Sequence, residues 1–365
     1  MNTVTSSYTQ RVSAYLQCAD EALAGIPNLV ASVASVGAGE WRTPVTVNDH
    51  SPGNAWVCSP HTTYVDYAIE EAGRVLPAAI ALPLALICRG VGALLRRARI
   101  DRAVAINNWL VSTNLYPEPI PGTAARWIDE ACGRWPDHAL WFRSLNQRHN
   151  SALIGQLENA GCVLVPSRQV YLFESVDPEG RDHADLRRDF RLLAREACRL
   201  SPASEWSGAD YQQAERLYAA LYMDKYSALN PRYTARFLRP WAERGLIELS
   251  GFRDGRGVLQ AVVGTFSLDG TVTSPIVGYE TALPQKLGLY RLLAATVLKS
   301  SAERGWRINL SAGAADFKRQ RGGIPEMEYS AVFDGHLPLS RRMAIRALAS
   351  ITQRIGKPIM KRYAL

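Results

Sequence analysis

The stretch Thr273 to Arg304 (TSPIVGYETALPQKLGLYRLLAATVLKSSAER) sets Gly288 in a turn between an apolar β-type run and a helix. The run covers Thr271 to Gly278. Leu289, Leu292, Leu293, Thr296 and Val297 then recur at helical spacing, up to Lys299, Glu303 and Arg304. A glycine in such a turn lets backbone N–H groups point at an anion, and the positive end of the helix dipole favours negative charge there. The chemistry on offer is phosphate or diphosphate binding, although an ordinary β–α turn has the same composition. Downstream, Arg307 to Ser311 (RINLS) reads as a buried strand and Ala312 to Gly323 (AGAADFKRQRGG) as a glycine-rich, cationic crossing. Glu328 to Phe333 (EYSAVF) reads as a further strand.

The order strand, loop, helix, strand, Phe317-Lys318-Arg319, strand resembles the C-terminal half of the GNAT acyltransferases. Their loop reads Gln/Arg-x-x-Gly-x-Gly/Ala and cradles the pyrophosphate of acyl-CoA. Gln285 and Gly288 match, and Tyr290 stands in place of the last small residue. The Phe-Lys-Arg segment narrows the resemblance to the FemAB-related subgroup, from Trp206 to Gly335. The resemblance implies that Val277, Gly278, Gln285, Lys286, Leu287, Gly288, Leu289, Arg291, Lys318 and Arg319 bind the donor. Acyl-CoA, or an acyl-carrier protein, would be the co-substrate, with no tightly bound cofactor and no metal.

Acyl transfer to an amine requires a neutral amine, a stabilised oxyanion and an acid for the leaving thiolate. By the same resemblance, Ile276, Val277 and Gly278 form the strand whose backbone N–H polarises the thioester carbonyl, with Gly278 allowing close approach of the donor. Tyr279 and Glu280 then sit at the mouth of the site. Glu280 is the first choice for general base, and Tyr290 for the proton donor. Asp316, Glu328 and His336 are reserve acid/base groups near strand ends, and Arg321 joins Lys318 and Arg319 as a binder of phosphates or lipid headgroups. His61 and Asp66 have the H-x-x-x-x-D spacing of glycerolipid acyltransferases without their phosphate-binding block, and His61 lies in a polar stretch that can face the site.

Other elements must position this half. Trp141 to Asn146 reads as a strand, Ser151 to Ala160 as a helix, and Cys162 to Phe173 as one or two strands around Pro166. Helices are expected at Ala209 to Tyr226 and Tyr233 to Arg244. Strands are expected at Ile247 to Arg253 and Val258 to Leu268, with Asp269-Gly270 turning into the next. The expected fold class is α/β (α+β): tandem GNAT-like halves with a central mixed, mostly antiparallel sheet flanked by helices. Residues 1–175 form a degenerate first half, 176–205 a connecting helix, 206–336 the catalytic half and 337–365 a basic amphipathic helix. No internal sequence repeat marks the duplication.

The net charge of +8 concentrates in Leu339 to Leu365, which holds seven Lys/Arg and no acid, leaving 8 − 7 = +1 for the rest. Val75 to Cys88 is fourteen uncharged residues followed by arginines. It is short of the ~20 residues a spanning helix requires, and Pro77 and Pro83 interrupt it. Both regions suit an anionic membrane surface, so a peripheral protein on the cytoplasmic face is expected. Nucleic acid is not, because no such binding motif accompanies the charge. Six scattered cysteines without a C-x-x-C pair fit a reducing compartment, and no signal peptide is evident.

The whole chain is similar to GNAT-related bacterial ceramide synthases. That implies a long-chain acyl group passing from acyl-CoA to an amine-bearing lipid, a sphingoid base, with an acyl tunnel or membrane-open groove. The alternatives are an N-acyl amino acid synthase, a FemAB-like aminoacyl transferase of peptidoglycan synthesis, and a lipid-binding relative without activity.

Overall fold

Short apolar alternations build an outer ribbon in the first half. β1 (Ser32–Val36) lies antiparallel to β2 (Thr43–Asp49), and β2 to β3 (Arg102–Ile106). This computed structural model describes residues 3–196 and 199–365; Cys198 lies outside the described residues. Helices α1 (Thr3–Gln17) and α2 (Ala19–Ala24) precede the ribbon, while α3 (Tyr67–Val75) and α4 (Ala78–Arg97) fill the connection from β2 to β3. β3 then pairs in parallel with β4 (Ala139–Asn146) through α5 (Thr123–Arg134), and α6 (Gln147–Asn159) leads into β5 (Val163–Phe173).

After α7 (Ala184–Glu196), the second half opens with β6 (Leu200–Pro202), α8 (Gly208–Ala219) and α9 (Ala235–Glu243). β7 (Glu248–Arg253), β8 (Leu259–Leu268) and β9 (Thr271–Tyr279) form the expected meander. Its second turn is Asp269-Gly270, both at positive φ, as a tight hairpin requires. α10 (Leu289–Arg304) carries the chain to β10 (Arg307–Asn309), parallel to β9. Then come α11 (Ala315–Arg319), β11 (Ile324–Phe333), α12 (Leu339–Ile351) and α13 (Lys357–Tyr363).

The strand order is β1-β2-β3-β4-β11-β5-β10-β9-β8-β7-β6. Each half contains an antiparallel pair, a parallel pair joined through a helix, and a last strand that crosses into the other half. β5 sits between β11 and β10, and β11 between β4 and β5. An approximate two-fold axis therefore passes between β5 and β11 and relates β4 to β10 and β3 to β9. The expected α/β class, a mixed and mostly antiparallel sheet flanked by helices, is what the chain adopts. The duplication absent from the sequence is present in the topology.

Apolar side chains bury both faces. Val104, Leu140 and Phe142 pack under Trp127 of α5 and Leu153 of α6, whereas Trp141, Val165 and Val332 pack against Leu95 of α4 and Ile345 and Leu348 of α12. In the second half, Leu292 and Leu293 of α10 cover Val263, Val272 and Ile308, and Tyr218 of α8 joins Val262 and Ile276.

Two expectations change. Pro83 does not interrupt its segment, because α4 runs twenty residues through it. The carbonyl that loses a partner is that of Ala79, and both residues are exposed, so water can replace the bond. The C-terminal stretch is α12 and α13 joined by a π-helical segment, Thr352–Gly356, and its apolar residues Ile345 and Leu348 are in the core. Arg341 donates to the carbonyls of Ala98 (2.9 Å), Arg99 (3.1 Å), Arg102 (3.3 Å) and Asp137, tying off the C-terminal end of α4.

Gly278 permits close approach of a helix rather than of a ligand. A Cβ there would lie 2.5 Å from the backbone of Leu217 and Tyr218 in α8. Gly278→Ala is expected to cost about 1–3 kcal/mol of stability by overpacking, read as a lower urea midpoint at unchanged m-value.

Candidate active site

The two parallel central strands of the second half part company early. β10 pairs with β9 only from Thr271 to Thr273, and beyond that β9 continues alone on this side to Tyr279. Pro275 lacks an N–H and lies opposite the register shift between Gly264 and Phe266 of β8, so the strand is bent where the opening starts. Rings cluster beside this cleft. Tyr290 at the start of α10 lies 6.1 Å from Tyr279 and 4.8 Å from Phe317, and Tyr222 lies 4.8 Å from Tyr218 and 6.0 Å from Tyr226. Tyr222 and Tyr226 belong to a π-helical segment, Ala220–Tyr226, that extends α8. Burial pushes the Tyr290 hydroxyl well above its ordinary value, reinforced by the neighbouring Tyr226 and Tyr279, so it remains a proton donor.

Beside the cleft lies a buried charge cluster. Arg168 of β5 donates to Glu328 of β11 at 2.7 and 3.3 Å, to the Ser112 carbonyl at 2.7 Å and to Thr113 Oγ1 at 3.1 Å, and its guanidinium stands 5.1 Å from the Trp56 ring. Lys318 is buried, with Nζ donating to the carbonyls of Leu310 (2.7 Å), Ser311 (3.2 Å) and Ala312 (2.8 Å). Burial, with the charge of Arg168 nearby, pulls its ammonium down to about 7. Glu71 of α3 has its carboxyl raised by burial, against the lowering effect of Arg74 and Arg168. Tyr67, one turn earlier, is pushed up to about 12 by burial and by Glu71.

An apolar pocket runs outward from this cluster. Leu84, Ile87 and Val91 of α4 form one wall and Leu348, Ile355 and Ile359 of the C-terminal helices the other. Trp56, Tyr67, Glu71, Arg168 and Ala312 close the inner end, and the empty space is about 1140 Å³, open mouth included. Ala312 belongs to the loop after β10, and Tyr222 feels both Tyr290 and the pocket residues Tyr67 and Arg168, so the inner end of the pocket lies beside the strand opening without a β9 residue in its lining. All three π-helical segments described bear on this region: Thr63 and Tyr64 of Thr62–Asp66 and Thr352 and Ile355 of Thr352–Gly356 line the pocket, and Ala220–Tyr226 flanks the cleft. Such irregular turns recur at functional sites.

The sequence-derived residues fall in several places. Tyr279, Val277 and Tyr290 are at the opening. Glu280 caps its own turn, its carboxylate accepting from the Ala282 N–H at 3.1 Å. Gln285, Lys286 and Leu287 form a 3-10 turn and Gly288 (φ +66) caps α10 ahead of Leu289. The end of that turn packs on α7, while Gln285, Lys286 and Leu287 stay exposed: Leu192 stands 2.9 Å from where a Gly288 Cβ would be, and buried Asp189 bridges Arg291 and Arg321, each at 2.6 Å. A diphosphate there would meet a carboxylate already holding both arginines, and Arg321 and Lys318 are too buried to bind one. Arg319 bonds Asp316 and the Tyr171 hydroxyl, both at 3.2 Å.

His61 does pair with Asp66, Nδ1 to Oδ2 at 3.1 Å. Its Nε2 takes Arg96 at 3.0 Å, which locks the ring between α3 and α4, outside the pocket lining. His336 lies against Phe333 and bonds the His138 carbonyl. Glu328 is the partner of Arg168 and not a free acid. Among the described residues no group of His, Cys, Asp and Glu could hold a metal. Sequence reasoning missed Glu71, Arg168, Tyr67 and Pro275. The signals were present: an acidic pair just before the apolar run, and prolines inside apolar β-type runs at 166 and 275.

No protein-family model matches the chain, and no curated protein does. Solved structures similar to it include FemX (9% identity, 88% of this chain and 90% of that one, TM-score 0.46). Others are L-PGS from Bacillus licheniformis (12%, 68% and 82%, TM-score 0.45) and a C-terminal domain ascribed to a lysylphosphatidylglycerol synthetase of Agrobacterium fabrum (14%, 69% and 82%, TM-score 0.46).

Arg168→Met should lose about 3–5 kcal/mol by leaving Glu328 charged and unpaired, and a second change, Glu328→Leu, should recover part of it, as urea unfolding would report. The lysine at 318 titrates near 10.5 when unfolded and about 7 when folded. The unfolded chain holds more protons between these values, so this group makes stability rise with pH across that window. Lys318→Met should remove that rise, and an unaltered stability–pH slope would exclude a depressed lysine.

Proposed function

We propose that the chain is an amide-forming acyltransferase whose acceptor is a long-chain amine, with a sphingoid base as the specimen. The observation that carries this reading is the apolar pocket whose inner end, at Tyr67 and Arg168, lies beside the ring cluster of the β9–β10 opening. A long alkyl tail gains about 0.8 kcal/mol per buried CH₂, which rewards an apolar pocket. The amine then stands at the Tyr67–Glu71–Arg168 end.

In the reaction, the donor carbonyl rests against the free edge of β9, where backbone N–H groups donate to its oxygen as negative charge develops there. Glu71, made more basic by burial, takes the proton of the attacking amine. The N–C bond forms as the bond to the leaving thiolate or alkoxide breaks, and Tyr290 supplies that group's proton. Lys318, with a pKa of about 7, steadies the loop beside the carbonyl. Packing of Leu192 on Gly288 and pairing of Arg291 with Asp189 favour a second reading of the donor, an acyl-carrier thioester or an aminoacyl ester rather than acyl-CoA held by its diphosphate.

Purified protein given a sphingoid base with acyl-CoA, acyl-carrier protein or aminoacyl-tRNA in turn should yield an N-acyl product, detected by mass spectrometry, with one donor class. No product with any long-chain amine would overturn the reading. Glu71→Gln should lower kcat by about 10²–10⁴-fold. Ala68→Trp, which fills the pocket beside Tyr67, should raise KM for long-chain amines and spare short-chain ones; equal effects on both would separate the pocket from the substrate.

A further inference from the structure

Helix α4 shows solvent a stripe that nothing in the fold covers. Ala79, Leu82, Pro83, Leu86, Ala93 and Leu94 recur along its outer face, and Leu82 and Leu86 are 67% and 65% exposed. The stripe extends about 22 Å at 1.5 Å per residue. Exposed Arg89 and Arg97 flank and end it, and the helix carries no acid. Contiguous apolar patches of this kind mark membrane or protein contacts.

Among the described residues α4 is the one helix long and apolar enough to cross a membrane, yet it is fastened along its length. Ala81, Gly92 and Leu95 are buried, and a Cβ on Gly92 would stand 2.8 Å from Val65 Cγ1. Arg96 is bonded to His61, and Arg341 holds the C-terminal end. A helix held on one side and bare on the other suits the plane of an interface rather than a span. Ile87 and Ile355, each 38% exposed, line the apolar pocket and mark its mouth beside the stripe.

We propose that α4 lies in the interfacial plane of an anionic bilayer, with Leu82, Leu86 and Leu94 among the acyl chains and Arg89 and Arg97 on lipid phosphates, so that the pocket fills directly from the membrane. Charge selects this occupant over a second copy of the chain, because the same face of a second copy brings further arginines and no acid to pair with them, whereas an anionic leaflet attracts them.

The test uses the full chain and sedimentation with vesicles of phosphatidylcholine alone or mixed with phosphatidylglycerol. Binding is expected on the mixed vesicles and should weaken as salt rises. The double variant Leu82→Glu/Leu86→Glu, outside the pocket lining, should bind about tenfold or more weakly, with an unchanged circular dichroism spectrum. Arg89→Gln/Arg97→Gln should abolish the preference for phosphatidylglycerol. Unchanged vesicle affinity in the leucine variant overturns the proposal. So does a change from dimer to monomer in that variant with vesicle binding intact, which would make the stripe a protein interface. The readout is independent of turnover, so it stands or falls apart from the reaction assigned above.

Discussion

The pairing of Arg168 with Glu328 joins the two strands on which the architecture turns. The residues are directly opposite in the β5–β11 register, one from each half, at the centre of the sheet. Buried charges are costly unless paired and fully hydrogen-bonded, and this pair recruits the Ser112 carbonyl, Thr113 and Ser167 to meet that demand. It therefore fixes the loop after β3, the two exchanged strands and the inner end of the pocket at one point. Arg143, which donates to the Val57 carbonyl and Asn108, stacks on the same Trp56 ring and extends the network to the first half.

Local patterns made the second half legible. The β7–β8–β9 meander follows from period-2 alternation and two tight turns, and α10 from its apolar spacing, so both appear where the residues put them. The outer ribbon of the first half was not visible, because β2 and β3 are separated by two helices and their pairing is a long-range fact. The duplication was hidden for the same reason: it is conserved as an order of strands and not as a string of residues.

The site was less legible than the fold, and the errors share a cause. Gly278 and Gly288 were read as making room for a donor, but one makes room for α8 and the other lies under Leu192 of α7. A sequence shows that a glycine is needed without showing what comes close. The basic run Lys318-Arg319-Gln320-Arg321 was expected to bind phosphates or lipid headgroups, yet its first and last members are buried, one on three carbonyls and one on Asp189. Glu71 takes its character from distant helices that remove water from around it, which no local pattern records.

The exchange of β5 and β11 also bears on how this chain comes to be folded. Neither half can complete its own sheet: β5 has both its neighbours, β10 and β11, in the later half, and β11 has β4 and β5 in the earlier one. During synthesis the first half emerges with β4 and β5 lacking their central partner, exposing apolar strand edges of the sort that invite aggregation. Closure waits for contacts some 160 residues apart in the chain, such as 168 with 328. The two halves thus share one sheet, and a protease cut in the linker would leave each without strands that its own sheet requires.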